Sequence, residues 1–379
     1  MARRHLDYNV FEAAVARMVP LYRKGHRVIV SFSSGKDSTV CLEVCRIAAE
    51  LTNRLPVEVM MRDEEILFPG SFEYAERVMR RPDVVFHWLV AHQPIVNVAN
   101  RANPYYWVFD PELKPEQWMR PMPPWAVEIP NKNILDLVTV ARFPPPPGKK
   151  LYNVIGLRAS ESLARNLAIH SQKGYLTAPG KNGDIGARPI YDWGDGDVWK
   201  AIADNGWDYN RAYDAFMRMG MKKRDLRIAP VAMIAKSWRQ LQMASKIWPR
   251  WYDRLSERLP GVRQVAMFGL RALQPLHRPN ESWQETFYRE CINEAPQWIA
   301  QRATLAMKTR LRAHAAHSSE PFPDVHSCHN CGVQPASWKE LAIYLYQGDP
   351  FSLRNPGLPY VEPEFFRPGS GTWGGKPTW

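Results

Sequence analysis

The sequence predicts an α/β fold: a parallel, twisted sheet with helices on both faces, followed by a mainly helical C-terminal region. Three observations predict it. Short apolar, β-branched segments alternate with segments whose apolar residues recur at helical spacing, and such alternation favours parallel pairing. A loop of small residues joins the first strand to the next helix. Beyond about residue 230 the strand pattern stops, and Trp and basic residues recur at helical spacing.

The elements follow in chain order. Residues 10–24 are predicted to form a helix that Gly25 ends, because their apolar side chains recur three and four apart. Further strands are predicted at 28–32, 57–61, 84–89 and 151–157, and further helices at 40–51, 71–81, 160–169 and 195–205. Asp195 is a suitable N-cap for the last of these helices. Parallel strands bind ligands at their carboxyl ends, so the site is sought there.

Composition divides the chain into three regions. Residues 1–230 are predicted to form the α/β domain, interrupted at about 92–148 by an insertion or lid rich in aromatic residues and proline. Residues 231–348 form a helical, basic region that contains a Cys-x-x-Cys pair. Residues 349–379 are rich in Pro and Gly, which predicts an irregular tail.

Charge and cysteine content narrow the class of protein. The 379 residues carry a net charge of +12, from 50 Lys and Arg against 38 Asp and Glu. Such an excess favours nucleotides, nucleic acid or an acidic protein as partners, unless it is dispersed and only aids solubility. No run of eighteen apolar residues and no apolar N-terminal segment is present, so we expect a cytoplasmic protein without a membrane partner. Five cysteines, an odd number, argue against a disulfide framework.

The loop after the first strand, Ser33-Ser34-Gly35-Lys36-Asp37-Ser38, predicts a phosphate site. Backbone N–H groups and the positive end of the following helix attract anions there. Gly35 allows close backbone approach, the serines supply hydroxyl donors, and Lys36 adds a point charge. It is not a Walker A loop, because Val30 and Asp37 stand where that motif needs Gly and Ser or Thr.

A second charged motif follows the strand at 151–157. It reads Gly156-Leu-Arg158-Ala-Ser-Glu161-Ser, with Arg165 after it. The two arginines can form a clamp on a phosphate or sulfate, with Glu161 orienting one of them. A solvated helix start with ordinary charge pairs is the alternative.

Together these motifs carry a family resemblance over roughly residues 8–270. Ser-Ser-Gly-Lys-Asp-Ser resembles the PP-loop of the ATP pyrophosphatase (adenine nucleotide alpha hydrolase-like) superfamily, usually Ser-Gly-Gly-x-Asp-Ser, with Ser34 replacing the first Gly. Gly-x-Arg-x-x-Glu-Ser-x-x-Arg resembles the signature of 3′-phosphoadenylyl-sulfate (PAPS) reductase-like proteins and of the ATP sulfurylase small subunit. Residues 188–193 and 197–199 are similar to a later segment of the same family, and residues 207–214 extend that similarity.

Three further segments resemble one branch of this family, found in bacteria and phages and often encoded beside a ParB-like protein. They are residues 107–111, 118–123 and 226–230. The resemblance therefore implies an adenine nucleotide and a ParB-like protein as partners. It also places Asp63 near the adenosine, although Glu64-Glu65 replaces the family's Thr-Gly after it.

The resemblance implies a nucleotide site and a reaction. ATP with Mg²⁺ is the favoured nucleotide, and attack of an acceptor on its α-phosphorus gives an adenylated product and pyrophosphate. The acceptor stays open; sulfate and a nucleic-acid base are the candidates, which would place the reaction in sulfur metabolism or nucleic-acid modification. Lys36, Asp37, Arg158 and Arg165 are the expected catalytic residues, with Asp37 capping the helix or assisting the metal rather than acting as a base. The expected nucleotide-binding residues are Ser31, Ser33, Ser34, Gly35, Lys36, Asp37, Ser38, Asp63, Gly156 and Glu161.

Two other functions stay open. A true PAPS reductase attacks sulfur with a C-terminal cysteine, typically in Glu-Cys-Gly-x-His, which this sequence lacks. A nucleotide-sensing regulator acting with a DNA-binding partner would bind the nucleotide without turnover. Basic-aromatic stretches at 236–239 and 246–251 fit nucleic-acid contact, and fit amphipathic core helices equally well.

The C-terminal cysteines predict a second site. Cys328 and Cys331 form half a metal site, which Cys291 and one of four histidines would complete for zinc or an iron–sulfur cluster. The four candidates are His314, His317, His326 and His329. A redox dithiol and reduced structural cysteines are the alternatives. Cys41 and Cys45 are expected to pack against the sheet.

Overall fold

The computed structural model describes residues 7–130, 137–171, 174–228, 238–332, 334–350, 357–358 and 361–367. Its strands are β1 Arg27–Phe32, β2 Val57–Asp63, β3 Val84–Ala91, β4 Pro94–Val96, β5 Tyr105–Trp107, β6 Val127–Ile129, β7 Leu151–Val154, β8 Leu176–Pro179 and β9 Asp184–Ala187. Its α-helices are α1 Val10–Arg23, α2 Lys36–Glu50, α3 Ser71–Met79, α4 Leu163–Ser171, α5 Asp195–Asp204, α6 Ala212–Arg218, α7 Trp238–Ile247, α8 Pro249–Arg258, α9 Val262–Phe268, α10 Trp283–Phe287, α11 Gln297–Ala315 and α12 Trp338–Leu345.

Shorter helical turns complete the secondary structure. In the described ranges five of them are 3₁₀ turns, and the segment after α10 is a π-helix at Tyr288–Asn293. The 3₁₀ turns are Pro115–Gln117, Ala159–Glu161, Lys223–Asp225, Gly269–Leu273 and Pro363–Phe366. No helix in the described ranges is both long and apolar enough to cross a membrane.

Seven strands form one sheet in the order β6-β3-β2-β1-β7-β9-β8. All neighbours pair in parallel except β8, which runs antiparallel to β9. The predicted α/β class with a mostly parallel sheet and a helical C-terminal region is therefore confirmed. The chain builds outward from β1 through β2 to β3, and β7 later pairs with the other side of β1. This reversal creates a crevice between the carboxyl ends of β1 and β7, the usual place for a ligand in such sheets.

The alternation of side chains along the strands sorts the core into two faces. Val28, Val30 and Phe32 of β1 pack in an apolar cluster with α1, α2, α3 and α5. Ile29 of the same strand joins a smaller cluster on the opposite face, together with Leu137, Val138 and Phe143 from the segment before β7. The period of two places successive residues of a strand on opposite faces.

The chain divides into two compact units. One comprises residues 1–93 and 108–230, and the other comprises 94–107 and 231–379. The sequence placed the whole of 92–148 with the α/β domain, whereas Pro94–Trp107, which includes the β4–β5 hairpin, belongs to the second unit. The reason is local: Asn97 donates a side-chain hydrogen bond to the carbonyl of Pro260, and Trp298 donates one to the carbonyl of Arg101.

Several predicted boundaries shift for identifiable reasons. Helix α2 already begins at Lys36, directly after Gly35. Strand β7 ends at Val154, where the chain turns and Leu157 N–H donates to the carbonyl of Ile155. The prediction of Asp195 as N-cap of α5 is wrong, since Gly194 is the cap and its N–H is satisfied by Asp197 at 2.7 Å.

The second unit has its own apolar core. Phe287, Ala303, Leu341 and Leu345 are fully buried in a cluster that joins α10, α11 and α12. The tail predicted to be irregular forms a 3₁₀ turn at Pro363–Phe366, and residues 368–379 lie outside the described part of the chain.

Candidate functional site

The loop between β1 and α2 is closed by its own hydroxyl groups. Ser38 Oγ donates to the carbonyl of Gly35 at 2.9 Å and accepts from the N–H of Ser33 at 3.2 Å. Ser34 lies in the left-handed region at φ 58°, a conformation that costs a residue other than Gly, Asn or Asp some free energy. Ser31 Oγ donates to Asn153 Oδ1 on β7 at 2.7 Å. Ser31 and Ser38 thus hold the loop in shape, and Ser33 remains exposed.

Gly156 lets the end of β7 touch the first turn of α2. A Cβ at this position would lie 2.9 Å from the carbonyl carbon of Asp37 and 3.1 Å from the N of Ser38. Both are backbone atoms that cannot move aside as a flexible side chain can. The glycine therefore allows the Arg158 segment to lie against the start of α2.

Four charged side chains meet at this contact. Arg158 Nε donates to Asp37 Oδ1 at 2.6 Å, and its Nη2 donates to Asp195 Oδ1 at 2.8 Å. Lys36 Nζ lies 3.3 Å from Asp37 Oδ2 and 3.7 Å from Asp195 Oδ1. Arg158 is 2% exposed and Lys36 5%, whereas both carboxylates are partly open to solvent. Asp37 does not cap α2, because Gly35 is the N-cap residue. The carboxylate of Asp37 binds Arg158 instead.

Further basic residues lie at the edge of this network. Glu161 forms an ion pair with Arg165 and accepts the N–H of Arg158 at 3.3 Å. The pKa of Arg165 is lowered, first by burial and then by the charges of Arg227 and Arg158, while Asp37 opposes the shift. The Arg165 guanidinium is therefore repelled by the charges of Arg227 and Arg158, and an anion bound beside it would relieve that repulsion.

A second group of residues supports the loop from the α6 region. Lys36 N–H donates to the hydroxyl of Tyr213 at 3.0 Å, Asn210 donates to the carbonyl of Ser34 at 3.2 Å, and Lys36 Nζ lies 3.5 Å from the carbonyl of Leu226. Burial raises the pKa of Tyr213, so the phenol stays neutral. We did not predict these contacts. The only signal for them was the family-like segments at 207–214 and 226–230.

Asp63 is brought to the carboxyl end of β2, but protein groups use its carboxylate. It is fully buried, accepts from Trp88 Nε1 at 2.8 Å and from the N–H of Glu65 at 2.8 Å, and forms an ion pair with Arg120. These contacts give Asp63 a structural role. Its expected contact with adenosine stays a prediction.

Glu65 explains the departure from the family pattern at this point. It is fully buried, has φ 64°, and accepts the backbone N–H groups of Phe109 at 2.6 Å and Met119 at 2.7 Å. One carboxylate thus anchors both ends of the segment 109–119 beside the sheet. No pattern in the sequence indicates this role.

The C-terminal cysteines form a separate cluster. Ligand atoms of His314, Cys328 and Cys331 lie within 4.8 Å of one another. Cys291, which we had grouped with them, lies outside this cluster. Its thiol donates to the carbonyl of Ala342 at 3.6 Å, and burial raises its pKa to about 12.

The two remaining cysteines pack where the sequence predicted. Cys41 and Cys45 are fully buried in the core between α2 and the sheet. Burial raises the pKa of the Cys45 thiol to about 12 and that of Cys41 well above its usual range. Neither thiol is available for chemistry in the folded protein.

Comparison with known proteins gives distant similarities. No family model matches the chain. A protein of Escherichia coli (strain K12) described as "Uncharacterized protein YbdN" is 28% identical over 244 residues. That match covers 59% of this chain and 59% of the relative, so the chain spans less than two thirds of the relative's length.

Among solved structures, FMN adenylyltransferase from Candida glabrata is 10% identical, with a TM-score of 0.36, covering 54% of this chain and 57% of that chain. PAPS reductase from Candida auris is 11% identical, with a TM-score of 0.33, covering 61% and 98%. Yeast FAD synthetase is 13% identical, with a TM-score of 0.30, covering 55% and 65%.

Proposed function

We propose that this chain is a PP-loop enzyme that binds ATP with Mg²⁺ at the start of α2 and transfers its adenylyl group to an acceptor, releasing pyrophosphate. One observation carries the proposal. Gly156 places the buried Arg158 against Asp37, beside the buried Lys36, at the N-terminus of a fifteen-residue helix. Two motifs 120 residues apart thereby build one anion site, and the resemblance assigns that site to an adenine nucleotide.

The position of the site in the sheet supports nucleotide binding. The loop after β1 and the turn after β7 are neighbours at the point where the strand order reverses. Ligands of parallel sheets bind in such crevices, and the N-terminus of α2 adds favourable dipoles for phosphate.

The charges at the site suit a leaving pyrophosphate. Lys36 and Arg158 are buried, so their attraction for developing negative charge is weakened little by solvent. Arg165 and Arg227 add positive charge at the rim. In the proposed reaction an acceptor oxygen bonds to the α-phosphorus, the bond from that phosphorus to the bridging oxygen breaks, and the electron pair leaves with pyrophosphate. These four side chains would hold the departing group.

The site also contains the oxygen donors that Mg²⁺ prefers. Asp37 and Asp195 both present carboxylates that are partly exposed, and without a cation they would repel a phosphate. They are the residues that would hold Mg²⁺, whose charge would offset that repulsion. Because Arg158 bonds to both carboxylates, it fixes their spacing.

The test measures ATP–Mg²⁺ binding by calorimetry and pyrophosphate release with sulfate or nucleic acid as acceptor. Lys36→Ala and Arg158→Ala should each weaken ATP binding by roughly 10- to 150-fold, since a hydrogen bond to a charged group is worth about 1.5–3 kcal/mol. Lys200→Ala is the matched control, because Lys200 is exposed and pairs only with its helix neighbour Asp204 among the described residues. Unchanged ATP binding in both site variants would contradict the proposal.

The same experiment separates the two alternatives. Within the described residues of the first unit, the thiols are the buried Cys41 and Cys45, which does not favour a sulfur-attacking reductase. A preference for PAPS over ATP would restore that function. Tight ATP binding without pyrophosphate release under any acceptor would favour a nucleotide-sensing regulator.

A further inference from the structure

His314 carries the feature of the second unit that its packing leaves unexplained. Its ring is 3% exposed, at the end of α11, and stands edge-on to Phe322. One ring nitrogen, Nε2, donates to the carbonyl of Glu320 at 2.8 Å. A carbonyl can only accept, so Nδ1 of the neutral ring carries a lone pair. Within the described residues, that buried Nδ1 has no hydrogen-bond partner.

The neighbours of this ring are two sulfur atoms. Ligand atoms of His314, Cys328 and Cys331 lie within 4.8 Å of one another. In a tetrahedral Zn²⁺ site with bonds of about 2.0–2.3 Å, adjacent ligand atoms are roughly 3.5–3.8 Å apart. A small movement of side chains would therefore bring all three atoms onto one ion. The hydrogen bond from Nε2 to the carbonyl of Glu320 is of the kind that orients histidine ligands in known metal sites, where the ring nitrogen that does not bind the metal donates to a carbonyl or carboxylate.

Main-chain contacts hold the two cysteines in place. Cys328 N–H donates to the carbonyl of Ala336 at 3.0 Å, which closes the loop. The amides of Asn330 and Cys331 donate hydrogen bonds to the Cys328 thiol. Gly332 has φ 62°, so the turn after Cys331 uses a conformation that favours glycine. The pair of cysteines is thus held by main-chain contacts that do not depend on a disulfide.

We propose that His314 Nδ1, Cys328 Sγ and Cys331 Sγ bind one Zn²⁺ with a structural role. Two sulfurs and one imidazole nitrogen are a donor set that zinc takes and that Mg²⁺ and Ca²⁺ avoid. The fourth position falls to water or to one of the exposed histidines that flank Cys328, His326 and His329. The ligand set includes His314, one of the four histidines that the sequence predicted as candidates, and leaves out Cys291.

The place of the cluster explains what the ion would do. It joins the last turn of α11 to the long connection that leads to α12 at Trp338. Connections of this length without regular structure are uncommon in compact domains unless something else fixes them. Hydrogen bonds fix its far end, since Ala336 N–H and Ser327 Oγ both donate to Glu340. The zinc would fix its near end to α11.

The experiment is metal analysis of the purified full-length chain after reconstitution with Zn²⁺ and removal of unbound metal. We expect the unaltered protein to bind about one zinc per chain. His314→Gln, Cys328→Ser and Cys331→Ser should each lower the affinity for zinc by about tenfold or more. Two matched controls should keep the metal. They are His317→Gln, an exposed histidine three residues beyond His314, and Cys291→Ala, a buried cysteine outside the cluster.

A second measurement covers variants that fold poorly. In the unaltered protein, Co²⁺ replacing zinc should give the thiolate charge-transfer and intense d–d absorption of a tetrahedral sulfur site, and a chelator should lower the melting temperature until zinc is restored. Absence of bound zinc after reconstitution overturns the proposal. So does a Cys328–Cys331 disulfide that forms readily in the presence of zinc, or an iron–sulfur chromophore in the protein as purified.

Discussion

The loop at the start of α2 and the cluster at the end of α11 are both candidate ligand sites, yet their polar groups are satisfied differently. At the loop, each charge already has a protein partner: Lys36 and Arg158 contact Asp37 and Asp195. At the cluster, the buried Nδ1 of His314 has none within the described residues. The first site keeps its shape without a ligand, and its ligand must exchange with existing partners. At the cluster, the Nδ1 of His314 gains a partner only when a ligand binds.

The difference predicts how each ligand couples to stability. Exchange of partners gives a modest net gain, because the bonds formed replace bonds lost. Metal binding would give the buried Nδ1 of His314 the partner that it lacks among the described residues, so metal binding contributes directly to folding. Nucleotide affinity should therefore be moderate and adjustable, whereas removal of zinc should weaken the second unit.

The largest expected effect concerns thiol reactivity. With zinc bound, all five thiols should resist a thiol reagent. A chelator should make the half-buried Cys328 reactive first, and the buried Cys331 reactive once the loop opens without its ion. Cys41, Cys45 and Cys291 are fully buried and should stay protected. Counting labelled cysteines by mass spectrometry checks this. If Cys328 and Cys331 were labelled at the same rate with and without zinc, the expected difference between the cluster and the loop in how they depend on a ligand would be contradicted.

The next effect tests the contact that assembles the first site. Gly156→Ala places a Cβ 2.9 Å from the backbone of Asp37, so the turn after β7 must move away from α2. We expect a loss of about 1–3 kcal/mol in the free energy of unfolding and about tenfold weaker ATP binding. Chemical denaturation and calorimetry measure these changes.

Gly196 offers the matched control, since a Cβ there would meet nothing within 4 Å. Gly196→Ala lies inside α5 and should raise stability by up to about 1 kcal/mol with ATP binding intact. Equal behaviour of the two variants would mean that the close approach of Gly156 has no functional weight.

A smaller effect reports on the exchange of partners itself. Asp195→Asn removes a carboxylate that competes with phosphate for Arg158 and Lys36. Without Mg²⁺, ATP binding should strengthen by about fivefold, which corresponds to about 1 kcal/mol. With Mg²⁺ the gain should shrink or reverse, because a donor for the ion is lost. Asp204→Asn, which alters an exposed carboxylate of the same helix, should show neither change.

The smallest effect calibrates the comparison with an ion pair that serves no ligand. Arg289 donates to both oxygens of Glu281, at 2.9 Å and 2.8 Å, and with other hydrogen bonds it lowers the pKa of that carboxyl from 4.5 to about 2. A lowered pKa gives stability that is present above pH 4.5 and is lost as the pH falls to about 2. Glu281→Gln should therefore melt slightly below the unaltered protein at pH 6, and the gap should close between pH 4.5 and 2. A gap that widened on acidification would contradict this.

Local features were predictable from the sequence. We could identify three features in this way: the loop after β1, Gly156 and Arg158. Each lies in a short motif that can be recognised from the spacing of neighbouring residues. Asp195, Tyr213 and Leu226 could not be identified, because they reach Lys36 only through contacts between residues far apart in the sequence. The protein contacts of Asp63 could not be predicted for a related reason, since its partner Arg120 lies 57 residues away. Among four candidate histidines, burial singles out His314, and burial is a property of the folded chain.

The path of the chain between its two units has a practical consequence for dissecting the protein. The β4–β5 hairpin at 94–107 belongs to the second unit, although in the sequence it lies between two segments of the first. Arg258, 151 residues later, donates a hydrogen bond to the carbonyl of its last residue, Trp107. A fragment that begins at residue 231 would lack the hairpin, and one that ends at 230 would carry it without its partners. During synthesis, the hairpin emerges long before the helices that cover it. A cut at residue 230 therefore separates neither compact unit intact, so point substitutions in the whole chain are the better way to dissect its function.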